Sequence, residues 1–212
     1  MSVTGVALIL FLTFHMSMNI AALFSGEAYN MICEFLGANW YALVATLGLA
    51  ALAVIHILYA FWLTMQNRKA RGSERYAVTT RPAGVEWSSQ NMLVLGIVIV
   101  LGLLLHLFNF WYNMMFAELT GIAVAHDPAN GYAYIQDTFA CPVYVVLYIV
   151  WIVALWFHLS HGFWSAMQTF GWNGKTWFCR WKVIGIAYST LLCLGFLVVV
   201  LWFAGKSLCG CC

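Results

Sequence analysis

Charge is what this sequence has least of. Of its 212 residues, 8% are Asp, Glu, Lys or Arg and 64% are hydrophobic, whereas a soluble domain carries about 25% charged residues. That balance excludes a soluble globular chain. It excludes disorder as well, which needs low hydrophobicity and high charge. A formal charge of +2 is too small to imply a nucleic-acid partner, so what matters is where the few charges sit. No Lys or Arg occurs before Arg68, so the first apolar run lacks the positive flank of a secretory signal and reads as a membrane span. Proline is scarce too: Pro82, Pro128 and Pro142 all fall in expected loops or at a helix start, where a missing N–H costs little. Nothing suggests the broken helices of a transporter. The seven cysteines show no paired metal-site spacing. Cys33, Cys141, Cys179 and Cys193 stand singly among apolar residues and read as small core residues. Cys209, Cys211 and Cys212 form a terminal cluster suited to metal, lipid or disulfide chemistry, or to none.

What the chain does have is long apolar runs. Five stand out: Val3 to Phe24, Trp40 to Met65, Met92 to Phe116, Val143 to Met167 and Val183 to Ala204. Each can cross about 30 Å of hydrocarbon with about 20 residues, and in lipid the backbone must satisfy its own hydrogen bonds, so helices are expected. The fold class is an all-α membrane protein, a single five-helix transmembrane domain over residues 1–212. Arg68, Lys69, Arg71, Arg75 and Arg81 fall between the second and third runs, and Lys175, Arg180 and Lys182 between the fourth and fifth. Basic loops stay inside. The other two loops carry Glu27, Glu34, Glu118, Asp127 and Asp137 with no Lys or Arg, which puts the N-terminus in the cytoplasm and the C-terminus outside.

The spans are nearly free of charged side chains but hold five of the six histidines: His15, His56, His106, His158 and His161. Ionisable residues within spans are functional candidates by default, and neutral imidazole in an apolar bundle suits haem iron. At about 1.5 Å per residue from the cytoplasmic ends, His56 and His158 lie about 12–13 Å deep, and His15 and His106 about 18–21 Å deep. A lone histidine reads first as a hydrogen bond to a neighbouring helix. Four, one on each of the first four helices and at two matched depths, are what two bis-histidine b-type haems require. A proton relay would need carboxylates beside them, and the spans supply none. Gly48, Gly96, Gly102, Gly162 and Gly185 would let a flat macrocycle or another helix approach. Trp40, Trp87, Tyr112, Trp172 and Trp177 near span ends fit interfacial belts.

Four segments carry a family resemblance: TGVALILFLTFHMSMN (Thr4 to Asn19), VIHILYAFWLTMQNRKARG (Val54 to Gly72), LLHLFNFWY (Leu104 to Tyr112) and FHLSHGFWSAMQTFGW (Phe157 to Trp172). They resemble the cytochrome b membrane subunit of succinate dehydrogenases and quinol:fumarate reductases, in its single-polypeptide, five-helix, dihaem form. The resemblance spans nearly the whole chain and is most specific in the HxxHGxWSAxQTxGW stretch. It implies a multi-pass anchor in the bacterial inner membrane, with a flavoprotein and an iron–sulfur subunit docked on the cytoplasmic face, and it is compatible with a dimer of heterotrimers. Two haems b would relay electrons between quinone, usually menaquinone, and the iron–sulfur subunit, while dicarboxylate chemistry belongs to the flavoprotein. The family's ligand positions match His15 with His106 for the outer haem and His56 with His158 for the inner one. His161 is then left as a neighbour that hydrogen-bonds a propionate or another helix, with plain packing as the alternative.

No motif fixes the quinone site. Position and chemistry point to the external ends of the helices, where quinol oxidation releases protons. Glu34 is the expected proton acceptor, ahead of Glu118, and Asn19, Asn109 and Tyr112 are expected near the outer histidines. Arg68, Lys69, Arg71 and Arg75 satisfy the topology rule by themselves, and arginine also suits contacts with propionates or a docked subunit. Two other classes stay open: a dihaem cytochrome b of another membrane oxidoreductase such as a hydrogenase or formate dehydrogenase, and a haem-free transporter. A haem spectrum disposes of the second. A copurifying flavin subunit separates the first.

Overall fold

The structure is a computed structural model and describes residues 1–37, 39–71 and 86–210. Arg75, Arg81, Pro82, Cys211 and Cys212 lie outside the described residues. The chain is helical, with no strand among the described residues. In order, the elements are α1 (Ser2–Phe24), α2 (Gly26–Phe35), α3 (Trp40–Arg71), α4 (Trp87–Gln90), α5 (Met92–His106), a π-helical segment (Leu107–Phe116), α6 (Ala117–Thr120), α7 (Gly131–Ala140), α8 (Pro142–Thr169) and α9 (Lys175–Leu208). Five stretches are long and apolar enough to cross a membrane: Ser2–Phe24, Trp40–Ala70, Met92–Thr120, Pro142–Thr169 and Lys175–Leu208.

Large side chains such as Leu10, Leu58, Trp62, Leu101 and Leu191 are exposed on the outside of the bundle, as in a protein surrounded by lipid rather than water. In the apolar stretches of α8 and α9, 33% of residues are buried, against 6% in α1 and α3. The spine is therefore the α8–α9 pair, whose Tyr148, Ile152, Leu159, Leu192, Val200 and Phe203 join Ile135 and Phe139 of α7 in one core. α1 packs against α9, α8 and α3, α3 also meets α5, and α5 packs on α8. Glycine makes two of these contacts possible. A Cβ at Gly102 would collide with the indole of Trp151, and one at Gly185 would lie 3.1 Å from the ring of Phe163. Gly48, Gly96 and Gly162 have open space instead.

Three expectations are corrected. First, the fifth helix starts at Lys175 rather than Val183. With 34 residues at about 1.5 Å each, it is about 51 Å long and outruns even the headgroup layers. Lys175, Arg180 and Lys182 therefore sit on a protruding helical end, not in a loop. Arg68 and Lys69 likewise end α3. Second, the acidic connections contain helices. Glu27 and Glu34 lie on α2 and Asp137 on α7. Ser25 caps α2 by accepting from the Ala28 N–H at 3.2 Å, and Asn130 caps α7 by accepting from the Ala133 N–H at 3.2 Å. The two helices interlock: the Asn30 amide donates to Asn130 Oδ1 at 2.9 Å, and the Tyr132 N–H donates to Asn30 Oδ1 at 2.9 Å.

Third, the third span is not a uniform rod. From the residue after His106 it widens into ten residues of π-helix. The Asn113 amide donates to the carbonyls of Phe108 and Asn109, both at 3.0 Å, which meets the backbone need that a widened turn creates. Phe108, Tyr112 and Phe116 form a nearly parallel ladder at 6.0 and 5.4 Å. Gly121, with φ 69°, ends the span in the left-handed conformation that glycine adopts without strain.

Successive spans cross in alternate directions. One end of the bundle therefore gathers Arg68, Lys69, Glu86, Lys175, Arg180 and Lys182, and the other gathers Glu27, Glu34, Glu118, Asp127 and Asp137 together with Lys206.

Candidate functional site

The four span histidines meet in twos. His15 of α1 faces His106 of α5 with ring centroids 5.7 Å apart and planes nearly perpendicular at 86°. His56 of α3 faces His158 of α8 at 6.4 Å and 65°. These juxtapositions join the residues that depth counting pairs. Each of the four is partly buried. Among the described residues, no three His, Cys, Asp or Glu side chains gather as a metal site of protein ligands alone would need. A haem iron needs only two axial donors from the chain.

The spacing can be tested against such an iron. Taking the metal–imidazole bond of about 2 Å seen in zinc sites and about 1 Å from ring nitrogen to ring centroid, two rings sharing one metal have centroids about 6 Å apart. Both observed distances lie close to this. Among the described residues, three buried side-chain polar atoms lack a hydrogen-bond partner: His106 Nδ1, His158 Nδ1 and Ser189 Oγ. Two of the three belong to the facing pairs. An unmet ring nitrogen costs about 1–3 kcal/mol, so these two rings lack the hydrogen bond by which a core histidine is ordinarily held. The donor set fits a bis-histidine haem at each pair.

The surroundings differ between the pairs. His15 stacks on Phe11 at 5.4 Å and neighbours Phe196 at 5.9 Å. Asn19, one turn on, donates to the His15 carbonyl at 2.8 Å and has its amide 3.4 Å from His15 Nε2, and its Oδ1 accepts from Tyr29 of α2 at 3.2 Å. A polar chain thus links the outer pair to the cap helix α2. Burial pushes the Tyr29 hydroxyl well above its usual value and the Cys33 thiol up to about 11. Both therefore stay protonated at neutral pH. His106 sits among Phe110 at 5.1 Å, Trp151 at 5.6 Å and Tyr148 at 6.3 Å.

Asn109 and Tyr112 part company. Asn109 is buried and donates to the Tyr148 hydroxyl at 3.3 Å, next to His106. Tyr112 is 40% exposed in the ladder on the outside of the bundle. Glu34 is exposed on α2. An apolar groove of about 410 Å³ lies between α1 and α2, lined by Phe14, Met18, Met31, Ile32 and Phe35 among others, and Glu34 is not in its wall.

At the inner pair, His56 Nδ1 lies 3.0 Å from Thr4 Oγ1 of α1. His161 turns away from it: its Nδ1 lies 3.4 Å from Glu86 Oε2, and its ring meets Trp164 edge-on at 4.8 Å. Glu86 also pairs with Lys182 at 2.8 Å, and the Lys182 ammonium sits over Trp164 at 4.6 Å and Phe178 at 4.9 Å. This cluster ties the start of the third span to α8 and α9. Sequence reasoning misses Thr4 and Glu86, because only tertiary contact distinguishes them from ordinary hydroxyl and loop residues. Comparison with family models, curated proteins and solved structures finds no significant match to this chain.

Partial burial alone would raise the Glu86 carboxyl, but hydrogen bonds from Lys182 and His161 outweigh it and hold the group below its usual range. A group so depressed contributes stability above the ordinary glutamate value of about 4.3 and loses it as the pH falls through its own lower value. Partly exposed pairs contribute about 0.2–1 kcal/mol. Glu86→Gln should lower the thermal midpoint at pH 7 by at most about 4 °C, with the gap from wild type closing below about pH 4. Equal midpoints at pH 7 would contradict this role.

Proposed function

We propose that the chain is the membrane-anchor cytochrome b subunit of a succinate dehydrogenase or quinol:fumarate reductase. The observation that carries this reading is two facing histidine pairs inside one five-helix apolar bundle, at two depths counted along the helices. Either pair alone would suit a structural contact; together, at iron-compatible spacing, they match the four histidine contexts of the resemblance.

In this reading His15 and His106 hold the outer haem b and His56 and His158 the inner one. When bound, the two haems supply one-electron relay between menaquinol and an iron–sulfur subunit. The chain's own part is to hold, orient and insulate. Phe11, Phe110, Trp151 and Phe196 keep water from the outer pair, and the interlocked α2 and α7 cover the acidic end. The basic end, with Arg68, Lys69, Lys175 and Arg180, faces the cytoplasm of a bacterial inner membrane by the positive-inside rule, and there the iron–sulfur subunit and flavoprotein dock. Arg180 stacks over Trp177 at 5.2 Å, an arrangement suited both to an interfacial belt and to a protein contact. Reduction or oxidation of the dicarboxylate takes place on the flavoprotein.

Quinol gives up its electrons and protons beside the outer pair, with Glu34 as the proton acceptor. Support for Glu34 is its place on α2, whose Tyr29 reaches the outer pair through Asn19. Glu34→Gln should slow quinol oxidation severalfold while leaving haem content and dye-linked fumarate reduction unchanged; unaltered quinol turnover removes Glu34 from the site.

His158 and His161 separate ligation from support. They lie about 4.5 Å apart along α8 and about 60° around it, and only His158 faces His56. His158→Ala should abolish one of two b-type signals and quinone-linked activity, in a complex that still copurifies with a flavin subunit. His161→Ala should retain both haems. The reverse pattern would exchange their roles, and a chain that brings down no flavin subunit would point to another class of cytochrome b.

A further inference from the structure

A threonine hydroxyl has one hydrogen. That of Thr4 goes to the carbonyl of Met1, at 2.9 Å. The same oxygen lies 3.0 Å from His56 Nδ1 on a different helix. With the hydroxyl donating to the Met1 carbonyl, Thr4 can meet that nitrogen only as an acceptor, an arrangement that requires the imidazole proton on Nδ1. Neutral imidazole carries one N–H and one lone pair, and the lone pair is therefore left on Nε2. α1 passes close to the ring here: a Cβ at Gly5 would make an ordinary contact of 3.6 Å with His56 Cε1.

No other histidine of the two pairs is held this way. The Nδ1 atoms of His106 and His158 are buried without a partner among the described residues. His15 has beside it a same-helix amide, a donor, at the longer distance of 3.4 Å. The inner pair thus has one imidazole whose ring nitrogen meets a hydroxyl from another helix, and the outer pair has none.

We propose that Thr4 is a positioning residue for the inner haem. It fixes His56 with the proton on Nδ1 and leaves Nε2 as the ligating nitrogen. By accepting the Nδ1–H bond, it also raises the electron-donating strength of that ligand. The proposal rests on assigning a haem to the His56–His158 pair. A stronger donor favours the oxidised metal, so Thr4 holds one haem at a lower potential than an unsupported histidine would, and leaves the other untouched.

The test compares wild type, Thr4→Val and Thr4→Ser in the assembled complex, by redox titration of the b-type bands and by haem retention on dilution in detergent. Valine keeps the shape of threonine and removes the acceptor; serine restores it. Thr4→Val should shift one midpoint potential upward, leave the other in place, and weaken retention of one haem by about 10–100-fold. Thr4→Ser should return both readouts toward wild type. Wild-type potentials and retention in Thr4→Val would overturn the proposal, as would Thr4→Ser behaving like Thr4→Val. A wild-type chain that holds no haem would instead overturn the two-haem reading, and this inference with it.

Discussion

An imidazole inside a lipid-surrounded bundle has two ring nitrogens to satisfy and no bulk water to satisfy them. Everything specific about this molecule follows from how that demand is met at His15, His56, His106 and His158. Burying an unpaired polar group costs a few kcal/mol, which one packing contact seldom recovers. Two of the four rings, His106 and His158, carry such an unpaired nitrogen, while His15 and His56 meet Asn19 and Thr4. Bringing the rings to 5.7 and 6.4 Å requires α1 to approach α5, and α3 to approach α8, at different depths. The α8–α9 spine supplies the fixed reference against which both approaches are made.

The rest of the architecture reads as support for that arrangement. Trp151 enters the gap that Gly102 leaves and donates to the Ile99 carbonyl at 3.0 Å, which sets the contact of α5 with α8 next to His106. The π-helical segment brings Asn109 inward to Tyr148 and leaves the aromatic ladder outside. At the acidic end α2 and α7 lock together, Asn30 donating to Asn130 and accepting from the Tyr132 N–H. At the basic end Glu86 draws His161 and Lys182 together. Each device acts on one end of the bundle, so the outer and inner pairs can be altered separately.

Much of this is legible in the amino-acid sequence. Long apolar runs give spans directly, because the bilayer demands length and apolarity and little else. The meeting of His15 with His106 and of His56 with His158 can be read from depth, since a continuous helix converts residue number into height. What cannot be read depends on contacts between distant residues. Glu27, Glu34 and Asp137 look like loop acids because α2 and α7 are short and polar, and they are held by caps and by each other rather than by an apolar run. Lys175 to Lys182 look like a loop because charge ordinarily ends a span, whereas here aromatic and basic residues together extend α9 past the hydrocarbon. The π-helix after His106 leaves no pattern in composition. Thr4 and Glu86 acquire meaning only from a partner 52 or 75 positions away.

If the histidine pairs exist to hold iron, the purified chain must carry it in a fixed ratio. A pyridine haemochrome assay with protein quantitation measures that ratio without reference to quinone, partner subunit or direction of catalysis. The expected result is two haems of b type per chain, falling to about one when His106 or His158 is replaced by Ala. A chain with no haem, one haem, or the spectrum of covalently attached haem would contradict the account.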